Sequence, residues 1–147
     1  MFKPAAIRYY AEDEMSDVQR LEIQECWQRA ERAIGDDIKD VIRAACSFHD
    51  WYITECSVYC QQMTEYCKMT LHKKNSECCV LFTGVSSISI TGDLVSNTAN
   101  YPGAGEHTSF AQVLDFWMDY QRVFECCWLL DSERFIIIEA RAVSVLI

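Results

Sequence analysis

Four cysteines and a histidine fall between residues 46 and 67, in the stretch CSFHDWYITECSVYCQQMTEYC, with three tyrosines among them. Thiols and an imidazole at short spacing can bind a metal, exchange disulfides, act as a nucleophile with its base, or only pack. On a helical wheel Cys46, His49, Ile53, Cys56, Cys60, Met63 and Cys67 share an arc of about 100°. Cys46, Ile53, Cys60 and Cys67 repeat at seven, as do His49, Cys56 and Met63, and Tyr52, Tyr59 and Tyr66 repeat beside them. That pattern reads as a heptad seam with cysteine in place of leucine. A reduced cysteine is a small, readily buried hydrophobe, so packing is the preferred reading. Cys46, Ile53, Cys56, Cys60, Met63 and Cys67 are then packing residues, and Tyr52, Tyr59, Tyr66 and Trp51 form an exposed interface rim.

The competing readings are weaker. A zinc site would draw on His49, Cys56, Cys60 and Cys67, but the chain has no CxxC or HxxxH pair. Disulfides within one helix are strained, because the Cβ vectors at i and i+4 run side by side. A catalytic Cys46–His49 dyad would place both partners on one apolar stripe, whereas such dyads are usually assembled from separate segments. The other candidate is the loop YPGAGEHT. Gly103, Gly105, Glu106, His107 and Thr108 precede an expected helix N-terminus, where an anion can be cradled. It matches neither GxxxxGK[ST] nor a full GxGxxG.

These residues have to be positioned by a chain of 147 residues, half of them hydrophobic, with a net charge of −9. That length is ample for one core without a metal or disulfide staple. The charge repels phosphate backbones and anionic membrane surfaces, so the expected partner is a protein, not nucleic acid or membrane. No signal peptide or spanning segment is read, and nine cysteines cannot all pair internally. The chain is therefore expected in a reducing, intracellular compartment, cytoplasm or nucleus.

The expected fold is α+β, in one domain over residues 1–147. Residues 1–15 form an arm, 16–74 a helical part and 76–147 a hairpin–helix–hairpin part. Ser16 and Gln19 have capping-box spacing and open a helix with an Ile23, Cys26, Trp27, Ala30, Ala33, Ile34 stripe. Gly35 is expected to end it in the left-handed conformation, and Asp36 to cap a second, long helix over residues 37–74. An antiparallel sheet of about four strands follows, in two hairpins separated by a third helix from Ser109 to about Phe124. One hairpin joins CCVLFTGV to SISITGDLV near Gly84, and the other joins CCWLL to FIIIEARAVSVLI.

The functional expectation is a non-enzymatic, self-associating interaction or regulatory protein, of a kind that a viral accessory protein or an intracellular effector exemplifies. Its alternatives are a small zinc protein and a small enzyme using the 103–108 loop. No cofactor is expected in the preferred reading.

Overall fold

The structure, a computed structural model, describes residues 17–45, 48–91, 111–130 and 135–146. Helices α1 (Asp17–Ala33) and α2 (Asp36–Ala44) precede six strands, β1 (Tyr52–Gln61), β2 (Thr64–Lys73), β3 (Ser76–Thr91), β4 (Ala111–Gln121), β5 (Val123–Leu130) and β6 (Phe135–Leu146). All neighbours pair antiparallel, and the order β1-β2-β3-β6-β5-β4 closes into a barrel. The expected architecture is therefore corrected: the second helix ends at Ala44 and the rest of its expected span is strand from Tyr52, the expected third helix is strand from Ala111, and the sheet has six described strands where about four were expected.

The first stripe forms as its spacing dictates. Ala30 and Ile34 are buried, and Ile23, Cys26 and Trp27 pack partly covered against neighbours, while Ala33 faces solvent. Gly35 does not take the left-handed conformation. It is extended (φ −70°, ψ 156°) and itself precedes the first turn of α2.

Helix α2 stops because the next apolar group is needed elsewhere. Phe48 is fully buried, with ring centroids 5.7 Å from Phe116, 5.4 Å from Trp128 and 5.9 Å from Trp51. Bringing it there turns the chain through left-handed backbone at Phe48 (φ 58°) and Asp50 (φ 64°). Beyond it, Tyr52, Ile53, Thr54, Val58 and Tyr59 are β-branched or aromatic and favour a pleated strand over a helix.

The seven-residue repeat survives in this strand for a different reason. Seven is an odd spacing and should alternate faces. A bulge between Ile53 and Glu55 inserts one residue and restores the phase, so Ile53, Cys56, Val58 and Cys60 share the inward side. The connection to β2 is Gln62-Met63, both at positive φ (51° and 62°), the conformation of a two-residue hairpin turn.

Strand β3 merges the two runs that were expected to form a hairpin. Its register on β6 slips between Val85 and Ser87, next to Gly84 at φ 67°, so Gly84 bends one strand instead of reversing it. The expected closing hairpin does form, as β5 on β6.

Strand β4 misleads a helical reading because both of its faces are covered. Val113, Phe116 and Met118 point into the barrel, where Phe116 and Trp128 lie 4.3 Å apart. Trp117 faces outward, in a second cluster with Cys127 and Leu129 that Ile23, Cys26 and Trp27 of α1 help cover. Adjacent Cys126 and Cys127 accordingly serve opposite faces of β5, and both are fully buried.

The barrel is joined unevenly. Among the described residues strand β1 pairs with β4 only through Tyr52–Gln112 and Ile53–Ala111, extended by backbone hydrogen bonds of Asp50 and Trp51 to Val113. Past Ile53, β1 has no second neighbouring strand among the described residues.

Candidate functional site

The β1–β2 hairpin carries Tyr52, Ile53, Cys56, Tyr59, Cys60, Met63, Tyr66 and Cys67 of the residues singled out from the sequence. The two-residue turn pairs Gln61 with Thr64, Cys60 with Glu65 and Tyr59 with Tyr66. Tyr59 and Tyr66 are thus direct cross-strand partners, and their rings stack at 5.2 Å with 14° between planes. Tyr52 lies at the opposite end of β1, opposite His72, so it does not join them. Trp51 precedes β1 and packs on the core through Phe48.

The hairpin tip is apolar and uncovered. Val58 is 58% exposed, Tyr59 40% and Met63 98%. Strand β3 reaches only as far as Tyr66, where it pairs through Thr83, so the tip beyond it stands clear of a third strand among the described residues. Of the expected packing residues, Ile53 and Cys67 are fully buried and Cys56 partly so, but Cys60 and Met63 are exposed. Cys46 and the whole 103–108 loop, with Gly103, Gly105, Glu106, His107 and Thr108, lie outside the described residues.

The four zinc candidates are not brought together. His49 is exposed before β1, 3.6 Å from the Asp50 carboxylate. Cys56 and Cys60 are four strand residues apart, about 13 Å at the usual rise. Among the described residues no group of three or more His, Cys, Asp or Glu side chains is arranged to hold a metal ion.

Two of the four do meet. Cys56 pairs with Met69 and Cys67 with Val58, which places the two thiols diagonally on the inward face with Sγ atoms 3.9 Å apart. They are electrostatically unequal. The hydrogen-bonded contact with Cys67 lowers the Cys56 pKa, against the opposing effects of burial and of the neighbouring Glu55 carboxylate. The same bond, with burial, pushes Cys67 far up. Elsewhere burial pushes Cys26 and Cys78 up to about 11 and raises Cys126 as well.

The second polar feature was not legible in the sequence, because its partners are 90 residues apart. Asp119, on the outer face of β4, is 1% exposed and receives Arg29 of α1 through Nε at 2.9 Å and Nη2 at 3.1 Å. Its Oδ1 also accepts the Tyr120 N–H at 2.7 Å. Burial raises the Asp119 pKa, but the hydrogen bonds from Arg29 and Tyr120 outweigh it and hold the carboxyl below its ordinary value. Arg29 Nη2 also reaches Cys26 Sγ at 3.3 Å, so this pair pins α1 to the sheet.

No helix among the described residues is long and apolar enough to cross a membrane. No family model matches the chain, and no curated protein does. Among solved structures it is similar to an uncharacterized protein from Neisseria gonorrhoeae, with a TM-score of 0.45 and 13% identity over 67% of this chain and 91% of that one. A likeness of that size carries no functional argument.

Proposed function

We propose that the chain is a non-enzymatic protein-interaction module of the reducing cytoplasm that self-associates through the β1–β2 hairpin. The observation that supports this reading is the tip itself. Val58, Tyr59 and Met63 are exposed on a strand whose outer edge, beyond Ile53, has no neighbouring strand among the described residues. Apolar side chains along an edge with no neighbouring strand among the described residues favour the addition of another strand. A second copy supplies the same edge, and antiparallel pairing of two β1 strands closes the contact symmetrically. With −9 net charge on each copy, the copies repel at long range, so association should tighten as salt is added.

The test is the mass of the reduced protein by light scattering across a concentration series, at low and moderate salt. The expected wild-type result is a dimer that salt strengthens. Val58→Lys should give a folded monomer. A wild type that stays monomeric throughout, or a Val58→Lys variant that dimerises equally well, overturns the proposal.

A further inference from the structure

We infer that Cys56 and Cys67 form a reversible thiol–disulfide exchange pair, with a low-molecular-weight disulfide such as glutathione disulfide as the oxidant. This does not rest on the self-association reading. The inference stands on the 3.9 Å approach of the two sulfurs across the hairpin and on their unequal access to solvent. Cys56 is partly exposed and can meet a reagent, whereas Cys67 is fully buried and can meet only Cys56. One reachable sulfur backed by one hidden sulfur is the division of labour that exchange requires: the first attacks, and the second resolves.

The polarity of the pair points the same way. The contact with Cys67 lowers the Cys56 pKa, which favours thiolate at the exposed position. In the first step Cys56 thiolate attacks one sulfur of the glutathione disulfide, forming a mixed disulfide and expelling one glutathione thiolate. Cys67 then gives up its proton and attacks Cys56 Sγ. The protein disulfide forms, and the second glutathione leaves as thiolate and takes up a proton. Two protein thiols are oxidised to one disulfide, and one glutathione disulfide is reduced to two thiols.

The diagonal placement makes the bridge labile. Diagonal cross-strand Cα atoms are roughly 7–8 Å apart, beyond the usual disulfide span of about 4.4–6.8 Å. Closing the bond has to draw β1 and β2 together, and a strained bridge of that kind returns easily to thiols. Cys60, though exposed, sits about 13 Å along the strand from Cys56.

The experiment treats the reduced full chain with glutathione disulfide, quenches by alkylation, and maps peptides without reduction. The expected result is a linked Cys56–Cys67 peptide, a mass lower by two hydrogens, and loss of the bridge on adding reduced glutathione. Cys67→Ala should instead trap glutathione on Cys56. Cys56→Ser, at a partly exposed position, keeps the test available if Cys67→Ala does not fold, and it should leave Cys67 as a free thiol. The inference is overturned if Cys60 becomes glutathionylated while Cys56 and Cys67 stay free. It is equally overturned if Cys67 is modified in the Cys56→Ser variant.

Discussion

Arg29→Met tests whether the ion pair between α1 and β4 governs how the helix is held. The methionine keeps much of the apolar stem and removes the guanidinium. Asp119 then loses the hydrogen bonds at 2.9 and 3.1 Å and keeps its other contacts, the hydrogen bond from the Tyr120 N–H among them. Breaking a buried ion pair from one side costs about 3–5 kcal/mol. The Asp119 side chain is 2% exposed but that of Arg29 is 36% exposed, so the pair is partly screened. A cost of about 2–3 kcal/mol is the reasonable figure after that discount. For a chain of this size it corresponds to a fall in Tm of about 5–10 °C.

The pH dependence carries the sign. Asp119 has a lowered pKa in the folded protein, so it stabilises above its unfolded pKa of about 3.9 and loses that contribution as pH falls through the folded value. Without Arg29 the desolvation effect is less opposed and the Asp119 pKa rises. The stability gap between wild type and variant should therefore be widest near about pH 7 and narrow toward about pH 4. Urea unfolding across that range measures it. Arg29→Met combined with Asp119→Asn should cost clearly less than the two single changes added together. A gap that does not change with pH, or a double variant as costly as the sum, would refute the reasoning.

Two further outcomes follow from backbone geometry. Replacing Gln62-Met63 by Asn-Gly should stabilise the protein by about 1 kcal/mol, because both positions have positive φ and the present pair is ill suited to it; thermal unfolding checks this. Gly84→Ala should destabilise by about 1–2 kcal/mol, since Gly84 sits at φ 67° and its new Cβ would meet the Arg141 guanidinium. Urea unfolding of Gly84→Ala alone and with Arg141→Ala separates the two contributions, and only the steric one should be relieved in the pair.

What the sequence conveyed depended on how the chain signals its turns. Helix α1 was legible because its stripe is covered on one side only and its period is undisturbed. The β1–β2 hairpin was not, since its turn contains no glycine, proline or asparagine. Gln62, Met63, Lys74 and Arg122 all adopt positive φ, so the reversals are held by sheet pairing and not by local preference. The seven-residue repeat had a second solution. In a hairpin with a two-residue loop, residues seven apart can be direct partners, as Tyr59 and Tyr66 are. Strand β4 lacked clean alternation because α1 covers part of its outer face, so Trp117 is as well buried as many core residues. The Cys56–Cys67 contact follows from the two-residue turn alone, which sets Val58 opposite Cys67 and Cys56 opposite Met69, and that turn carries no local signal.

The join between β1 and β4 has a consequence for how the fold assembles. Each of the pairings β1–β2, β2–β3, β4–β5 and β5–β6 links strands consecutive in sequence and closes a short loop, so it is entropically cheap. Pairing β3 with β6 brings the two halves together across a long stretch of chain. The few residue pairs from Asp50 to Ile53 add little once that has happened. They act as a latch on a sheet already curved. Strand β1, held on its second side by those few pairs among the described residues, is therefore the seam at which the closed sheet is most cheaply parted.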